Sequence, residues 1–127
     1  MNDRMASTDP KTVLLIDDDT SNLEAFGEVL RGAGYIVVCA RNGAEALACL
    51  PAAQPSVVMV DYVMPRMNGA TTIEMLRRHA TLHDVSIVMT SGLPEEVVRP
   101  RCGDYDVFLP KPLDIARALD TLQSLSR

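Results

Sequence analysis

The chain has 127 residues, 47% of them hydrophobic, and a formal net charge of −5 at pH 7. This length suits one globular domain with a continuous core. The acidic balance argues against binding to the phosphate backbone of DNA, which needs clustered Lys and Arg. No apolar run reaches the roughly 18 residues of a membrane span, and the polar start is unlike an export signal. We therefore expect a cytoplasmic protein with a flexible leader over residues 1–11 and one domain over residues 12–127.

Short apolar runs alternate with segments of helical periodicity along the chain. Residues 12–16 predict a strand buried on both faces. A helix follows, which Asp19 can cap and Gly34 can end. Residues 35–39 predict the second strand, and the helix after it is expected to end before Pro51.

The third predicted strand covers residues 57–60. A turn at Asn68 and Gly69 then leads into a helix that should reach about His79. Residues 85–89 predict the fourth strand, again from a run of apolar residues. Up to this point strands and helices alternate without a break.

The stretch between the fourth and fifth strands predicts an irregular element. Pro94 can open a helix, but Pro100 should end it about six residues later, so any helix here is short or distorted. Residues 107–109 predict the fifth strand, and an apolar stripe marks the last helix. The alternation predicts a doubly wound α/β fold of the flavodoxin-like type, with five parallel strands in the order 2-1-3-4-5 and helices on both faces.

Polar side chains follow the apolar runs where four of the predicted strands end. Asp17 and Asp18 follow the first strand, Asp61 the third, Thr90 the fourth and Lys111 the fifth. Because the carboxyl ends of parallel strands share one edge of the sheet, these groups should converge there. Such a set can hold a hard cation, offer a carboxylate nucleophile and neutralise a phosphoryl group.

Each of these residues also has a simpler explanation when it is taken alone. The aspartates after the first strand can be solvated or can cap a helix, and Asp61 can start a turn. Thr90 can be an ordinary β-branched strand residue, and Lys111 an exposed residue in a proline-rich turn. Their joint position at four strand ends favours a shared site.

Four segments resemble the signature segments of the response-regulator receiver domain of two-component signalling: LLIDDD, VVMVDYVMPRMNG, IVMTSG and FLPKP. The resemblance covers residues 12–126. It implies that Asp61 is the phosphoacceptor. It also implies a site for Mg²⁺, or Mn²⁺, in which Asp18 binds the ion directly and Asp17 mainly through water. Asp61 and the backbone carbonyl of Val63 complete the implied protein ligands.

The same resemblance implies the parts of a switch. Thr90 would be the hydroxyl that moves toward the phosphoryl group, with Lys111 as the ion-pair partner of that group. Phe108 would be the aromatic that changes rotamer with Thr90. The peptide bond between Lys111 and Pro112 is expected to be cis, which only proline makes at low cost.

The function that the resemblance implies is signalling by phosphorylation. A sensor histidine kinase or a histidine phosphotransfer protein would donate a phosphoryl group from phosphohistidine. The phosphorylated domain would then present an altered face to a downstream protein target, with no direct contact to nucleic acid or membrane. It would be a switch that assists its own phosphorylation and dephosphorylation, and not a turnover enzyme.

Two departures from the family pattern carry expectations of their own. Val63 and Gly92 stand at positions that tune phosphoryl lifetime, and neither side chain can orient water by hydrogen bonding. We expect slow self-dephosphorylation, which a lifetime of seconds would contradict. The irregular stretch over residues 94–103 predicts an altered partner face, or no dimer through that face.

Two alternatives stay open at this point. A phosphatase of the haloacid-dehalogenase type would use Asp17 as nucleophile, since Asp17, Asp19 and Ser21 resemble its D-x-D-x-T/S motif. In that case Asp61 would have no role, and the chain would be short for that family. The second alternative is a pseudo-receiver, an interaction module that keeps the fold without being phosphorylated. The identity of the aspartate that carries phosphate separates the receiver domain from the phosphatase, and a pseudo-receiver would carry none.

Overall fold

A computed structural model describes residues 10–64, 68–79 and 84–125. Its apolar, β-branched runs form a single parallel sheet in the order β2-β1-β3-β4-β5. This topology confirms the predicted fold class. The strands are β1 (Thr12–Ile16), β2 (Ile36–Ala40), β3 (Val57–Asp61), β4 (Ser86–Ser91) and β5 (Val107–Pro110).

Helices connect the strands in the described part of the chain. They are α1 (Thr20–Gly32), α2 (Gly43–Ala53), α3 (Gly69–Arg77), α4 (Glu95–Val98) and α5 (Ile115–Leu125). Side chains cap four of the described helices at the N-terminus, where backbone N–H groups otherwise lack partners. The capping residues are Asp19 for α1, Asn42 for α2, Asn68 for α3 and Asp114 for α5.

The core lies on both faces of the sheet because successive strand residues point in opposite directions. On one face, Leu14 and Val58 belong to a buried cluster that also includes residues of α2, α3 and α4. On the other, Leu15 and Met59 belong to a cluster with residues of α1 and α5. Burial on both faces explains why the strands are almost continuously apolar.

Helix α2 departs from its predicted end. The helix continues through Pro51 to Ala53, so the expectation that it stops before the proline is wrong. Proline removes one backbone donor, but the N–H of Gln54 still donates to Leu50 O at 3.0 Å. The chain then leaves the helix at Gln54, which has the left-handed φ of 42°. Leu50 is fully buried, and its packing holds this last turn against the sheet.

Smaller differences affect the other boundaries. Strand β2 lies one residue later than predicted, and β4 runs on to Ser91, two residues beyond its predicted end. Helix α3 ends at Arg77 and not at His79. Helix α4 has only four residues, as the two prolines around it predicted.

The predicted leader falls mostly on residues 1–9, which lie outside the described residues, and the first strand begins at Thr12. Among the helices that the structure describes, none is long and apolar enough to cross a bilayer.

Candidate functional site

The strand ends bring the predicted polar side chains to one edge of the sheet. Asp17 follows β1, and its N–H donates to Ala40 O of β2 at 3.1 Å. Asp61 is the last residue of β3 and lies in register with Thr90 of β4. Lys111 follows β5, and its N–H donates to Ser91 O at 2.9 Å, which continues the pairing of β4 and β5 past the strand. The backbone pairing of the parallel strands is therefore enough to bring these residues to the same edge of the sheet.

Lys111 bridges two carboxylates that are far apart in sequence. Its Nζ lies 3.0 Å from Asp17 Oδ2 and 3.2 Å from Asp61 Oδ2. Burial by itself disfavours the ammonium, but the hydrogen bond to Asp17 and the charges of Asp61 and Asp17 outweigh it and raise the pKa of Lys111. The lysine is therefore a firmly held positive charge at the centre of the site.

The carboxyl group of Asp61 is almost fully enclosed, with 7% of the residue exposed. Burial is the largest influence on it and raises its pKa, and the nearby charge of Asp17 acts in the same direction. The charge of Lys111, together with hydrogen bonds from Lys111 and from the Val63 N–H, opposes that rise without cancelling it. Asp61 is thus a desolvated carboxylate whose charge depends on its neighbours.

Three carboxylates form a cluster with the chemistry of a cation site. Oxygen atoms of Asp17, Asp18 and Asp61 all lie within 4.8 Å of one another. Asp18 is exposed, Asp17 is partly buried and Asp61 is buried. Hard divalent cations such as Mg²⁺ prefer carboxylate oxygens, and Mg²⁺ keeps several of its waters, for which the exposed side of the cluster leaves room. The donor set therefore fits such an ion.

Asp19 stands apart from this cluster. Its Oδ1 accepts hydrogen bonds from Ser21 N at 2.9 Å and from Asn22 N at 3.2 Å at the start of α1. Its own N–H donates to Asp17 Oδ1 at 3.0 Å. The third aspartate of the run is therefore a helix cap that also holds the Asp17 side chain in place.

Thr90 and Phe108 are both buried. Thr90 is 4% exposed, and its hydroxyl donates to Val60 O over a long 3.4 Å. Phe108 is in register with Met89, the residue before Thr90, and belongs to the buried cluster on the α2–α4 face. The structure therefore brings Thr90 to the site edge and places Phe108 in the core.

Gly69 is a further site residue that the sequence analysis treated only as part of a turn. Its N–H donates to Tyr62 O at 2.8 Å, directly after Asp61. A Cβ at this position would lie 2.8 Å from both Asp61 O and Tyr62 Cα. A glycine is therefore required where α3 approaches the end of β3, and the Asn-Gly pair was the signal available in the sequence.

Val63 and Gly92, the two positions expected to tune phosphoryl lifetime, are exposed. Val63 is 55% exposed. A Cβ added at Gly92 would meet no atom within 4 Å in the described ranges. The peptide bond between Lys111 and Pro112 is cis.

The family model described as the response regulator receiver domain matches residues 13–123. The chain belongs to this family. One curated relative, the polar-differentiation response regulator DivK of Brucella anthropi, is 24% identical over 117 residues, which cover 91% of this chain and 95% of the relative.

Solved structures of receiver domains share the architecture. The chemotaxis protein CheY4 of Vibrio cholerae superposes with a TM-score of 0.83 at 29% identity, covering 92% of this chain and 99% of that one. A response regulator from Chloroflexus aurantiacus gives a TM-score of 0.83 at 28% identity, covering 93% and 98%. Both similarities span nearly the whole receiver fold.

Membership of the family establishes the class of function. The chain is a receiver domain, the phosphoacceptor module of two-component signalling, and it works as a signalling switch. Receiver domains interact with histidine kinases and with downstream targets. The comparisons favour neither the phosphatase nor the pseudo-receiver alternative.

Proposed function

We propose that Asp61 of this receiver domain accepts a phosphoryl group from phosphohistidine. The observation that carries the proposal is the position of Asp61, a buried carboxylate at the end of β3 that lies 3.2 Å from Lys111 and belongs to the acidic cluster. Asp17 and Asp18 lie in the same cluster, but Asp17 also accepts a hydrogen bond from the Asp19 N–H, and Asp18 is exposed.

A divalent cation belongs to the proposal. Asp17, Asp18, Asp61 and the backbone carbonyl of Val63 would hold Mg²⁺, and Mn²⁺ would be accepted by the same oxygen ligands. When bound, the ion neutralises charge on the phosphoryl oxygens.

The residues of the chain supply the other parts of the reaction. A carboxylate oxygen of Asp61 attacks phosphorus, and the bond from phosphorus to the histidine nitrogen breaks with its electron pair going to that nitrogen. Lys111, already between two carboxylates, offsets the charge that the new acyl phosphate adds. The Thr90 hydroxyl leaves Val60 O and donates to a phosphoryl oxygen, and Phe108 changes rotamer with it.

The partners follow from this chemistry. The donor is a sensor histidine kinase or a histidine phosphotransfer protein, and the phosphorylated face binds a downstream protein target. The net charge of −5 supports a protein partner over nucleic acid. We place the exchange in the cytoplasm, and the free thiols of all three cysteines suit that reducing compartment.

The domain is also proposed to assist its own dephosphorylation, but slowly. Hydrolysis requires water to be oriented toward phosphorus, and the Val63 and Gly92 side chains cannot form hydrogen bonds to do so. We expect the acyl phosphate to outlast the scale of seconds.

The test is the intact mass of the protein after incubation with acetyl phosphate and Mg²⁺. Wild type should gain the mass of one phosphoryl group, and the gain should disappear with excess chelator and in Asp61→Asn. Asp120→Asn is the matched control because Asp120 is an exposed aspartate of α5. Following the decay of the added mass after the donor is removed measures the lifetime in the same samples.

Other outcomes would contradict the proposal. If Asp61→Asn still gains the mass and Asp17→Asn does not, the nucleophile is Asp17 and the phosphatase alternative holds. If wild type gains nothing where a functional receiver domain does, the chain is a pseudo-receiver.

A further inference from the structure

Tyr105 anchors helix α4 to the chain just before β5. The residue is buried, and its hydroxyl donates to Glu95 Oε2 at 2.8 Å. Arg99 forms an ion pair with the same Glu95. Its guanidinium carbon also lies 4.9 Å from the centroid of the Tyr105 ring, within cation–π range. Glu95, Arg99 and Tyr105 thus form a closed network, which we call the α4 latch.

Helix α4 depends on this latch more than a longer helix would. It has four residues, too few to be stable by themselves. Pro94 at its N-terminus has no side-chain group that could cap it, and Pro100 follows within two residues of its end. Its attachment to the domain comes from the latch and from the buried side chain of Val98.

The other contact of the Tyr105 ring is with Phe108. The two ring centroids are 6.0 Å apart and the planes are tilted by 49°, a favourable aromatic arrangement. Phe108 is in register with Met89, next to Thr90. Packing therefore leads from Met89, the chain neighbour of Thr90, through Phe108 and Tyr105 to the charged residues of α4.

We propose that Tyr105 is a positioning residue that couples Phe108 and Thr90 to helix α4. The latch holds Tyr105, and through it Phe108, in the arrangement where the Thr90 hydroxyl donates to Val60 O. This inference rests on the proposed function, in which Thr90 leaves Val60 O and Phe108 repacks. Phosphorylation then loosens or shifts α4, whose exposed Leu93 and Val97 flank the latch.

Thermodynamic linkage predicts whether weakening the latch raises or lowers the affinity for a phosphoryl mimic. If the latch stabilises the arrangement that the phosphoryl group must displace, weakening the latch favours the phosphoryl-bound arrangement. Tyr105→Phe keeps the ring and removes only the hydroxyl that binds Glu95. A net hydrogen bond of ordinary strength, partly screened by solvent, corresponds to a change of about two- to tenfold in an equilibrium constant.

The experiment measures the Kd of beryllofluoride, a phosphoryl mimic, in the presence of Mg²⁺ by calorimetry. Tyr105→Phe should bind it about two- to tenfold more tightly than wild type. Tyr35→Phe is the control, since it removes a tyrosine hydroxyl on the opposite face of the sheet, and its Kd should match wild type. Glu95→Ala removes the acceptor of the latch from a more exposed position and should also tighten binding.

The measured Kd and Tm distinguish a Tyr105 that is coupled to the phosphoryl site from one that only stabilises the fold. If Tyr105→Phe and Glu95→Ala lower Tm but leave Kd unchanged, or weaken binding, the latch is structural only and the inference is wrong, while the proposed function stands. If wild type does not bind beryllofluoride at all, the proposed function fails first and this inference fails with it.

Discussion

At the scale of single residues, opposing influences set the pKa of one buried carboxylate, Asp61. Burial and the charge of Asp17 favour the protonated form of Asp61, and Lys111 and the Val63 N–H favour the charged form. The net result is a raised pKa, so the charged form of Asp61 costs more free energy in the folded chain than in the unfolded one. The proposed function depends on this charge, because it uses the Asp61 carboxylate as the nucleophile.

This balance predicts how stability depends on pH. Because the folded-state pKa of Asp61 lies above its unfolded value, the folded state binds the proton more tightly. The charged Asp61 carboxylate lowers the free energy of unfolding at pH values above the folded-state pKa. This loss of stability disappears as the pH falls to the unfolded-state pKa near 3.8. Asp61→Asn should therefore raise Tm at neutral pH in the presence of chelator, by roughly 2–8 °C for each kcal/mol of penalty removed.

Thermal unfolding of both proteins between pH 7 and pH 4 checks this prediction. The advantage of Asp61→Asn should shrink as the pH falls, and Asp120→Asn should track wild type throughout. An advantage that grows toward low pH would mean that Lys111 overcompensates for burial.

At the scale of elements, helix α1 shows why the third aspartate of the run differs from the other two. Asp19 accepts two backbone hydrogen bonds and begins the helix, whereas Asp17 and Asp18 face Asp61. Caps of this kind contribute about 0.5–2 kcal/mol.

Asp19→Ala should therefore lower the free energy of unfolding by about 1 kcal/mol. Asp19→Ser should lower it by less, because serine also caps helices. Denaturant unfolding measures both changes. Mg²⁺-dependent gain of phosphoryl mass should survive in both variants. Its loss in Asp19→Ala, with the fold intact, would revive the D-x-D phosphatase alternative.

Two prolines show what local sequence predicts about helices and what it leaves open. Pro100 was expected to limit α4, and the helix has four residues. Pro51 was expected to stop α2, but the helix passes through it. The difference is tertiary. Leu50 beside Pro51 is buried against the sheet and holds one more turn, whereas Val98 is the buried residue of the four in α4.

At the scale of the whole molecule, the short α4 predicts limited association through that face. A four-residue helix is about 6 Å long, and specific dimers bury about 800 Å² on each partner. Glu95 and Arg99 on this face are also charged, and their side chains already interact with each other and with Tyr105 in the latch.

We therefore expect the chain to stay a monomer of 13.8 kDa both with Mg²⁺ alone and with Mg²⁺ and beryllofluoride. Sedimentation equilibrium at several concentrations measures the mass under each condition. A doubled mass that appears only with beryllofluoride would show that phosphorylation creates a dimer surface despite the short helix.

The sequence by itself determined the fold class, the strand order and the residue types at the sheet edge. Buried parallel strands read as apolar runs, and the polar residue that ends each run is visible without coordinates. Only the tertiary structure decided how these residues interact. Lys111 meets Asp17 across 94 positions of sequence, Gly69 leaves no room for a Cβ, and Tyr105 joins α4 to Phe108. Such contacts depend on how segments that are distant in sequence pack together, and local sequence periodicity does not predict them.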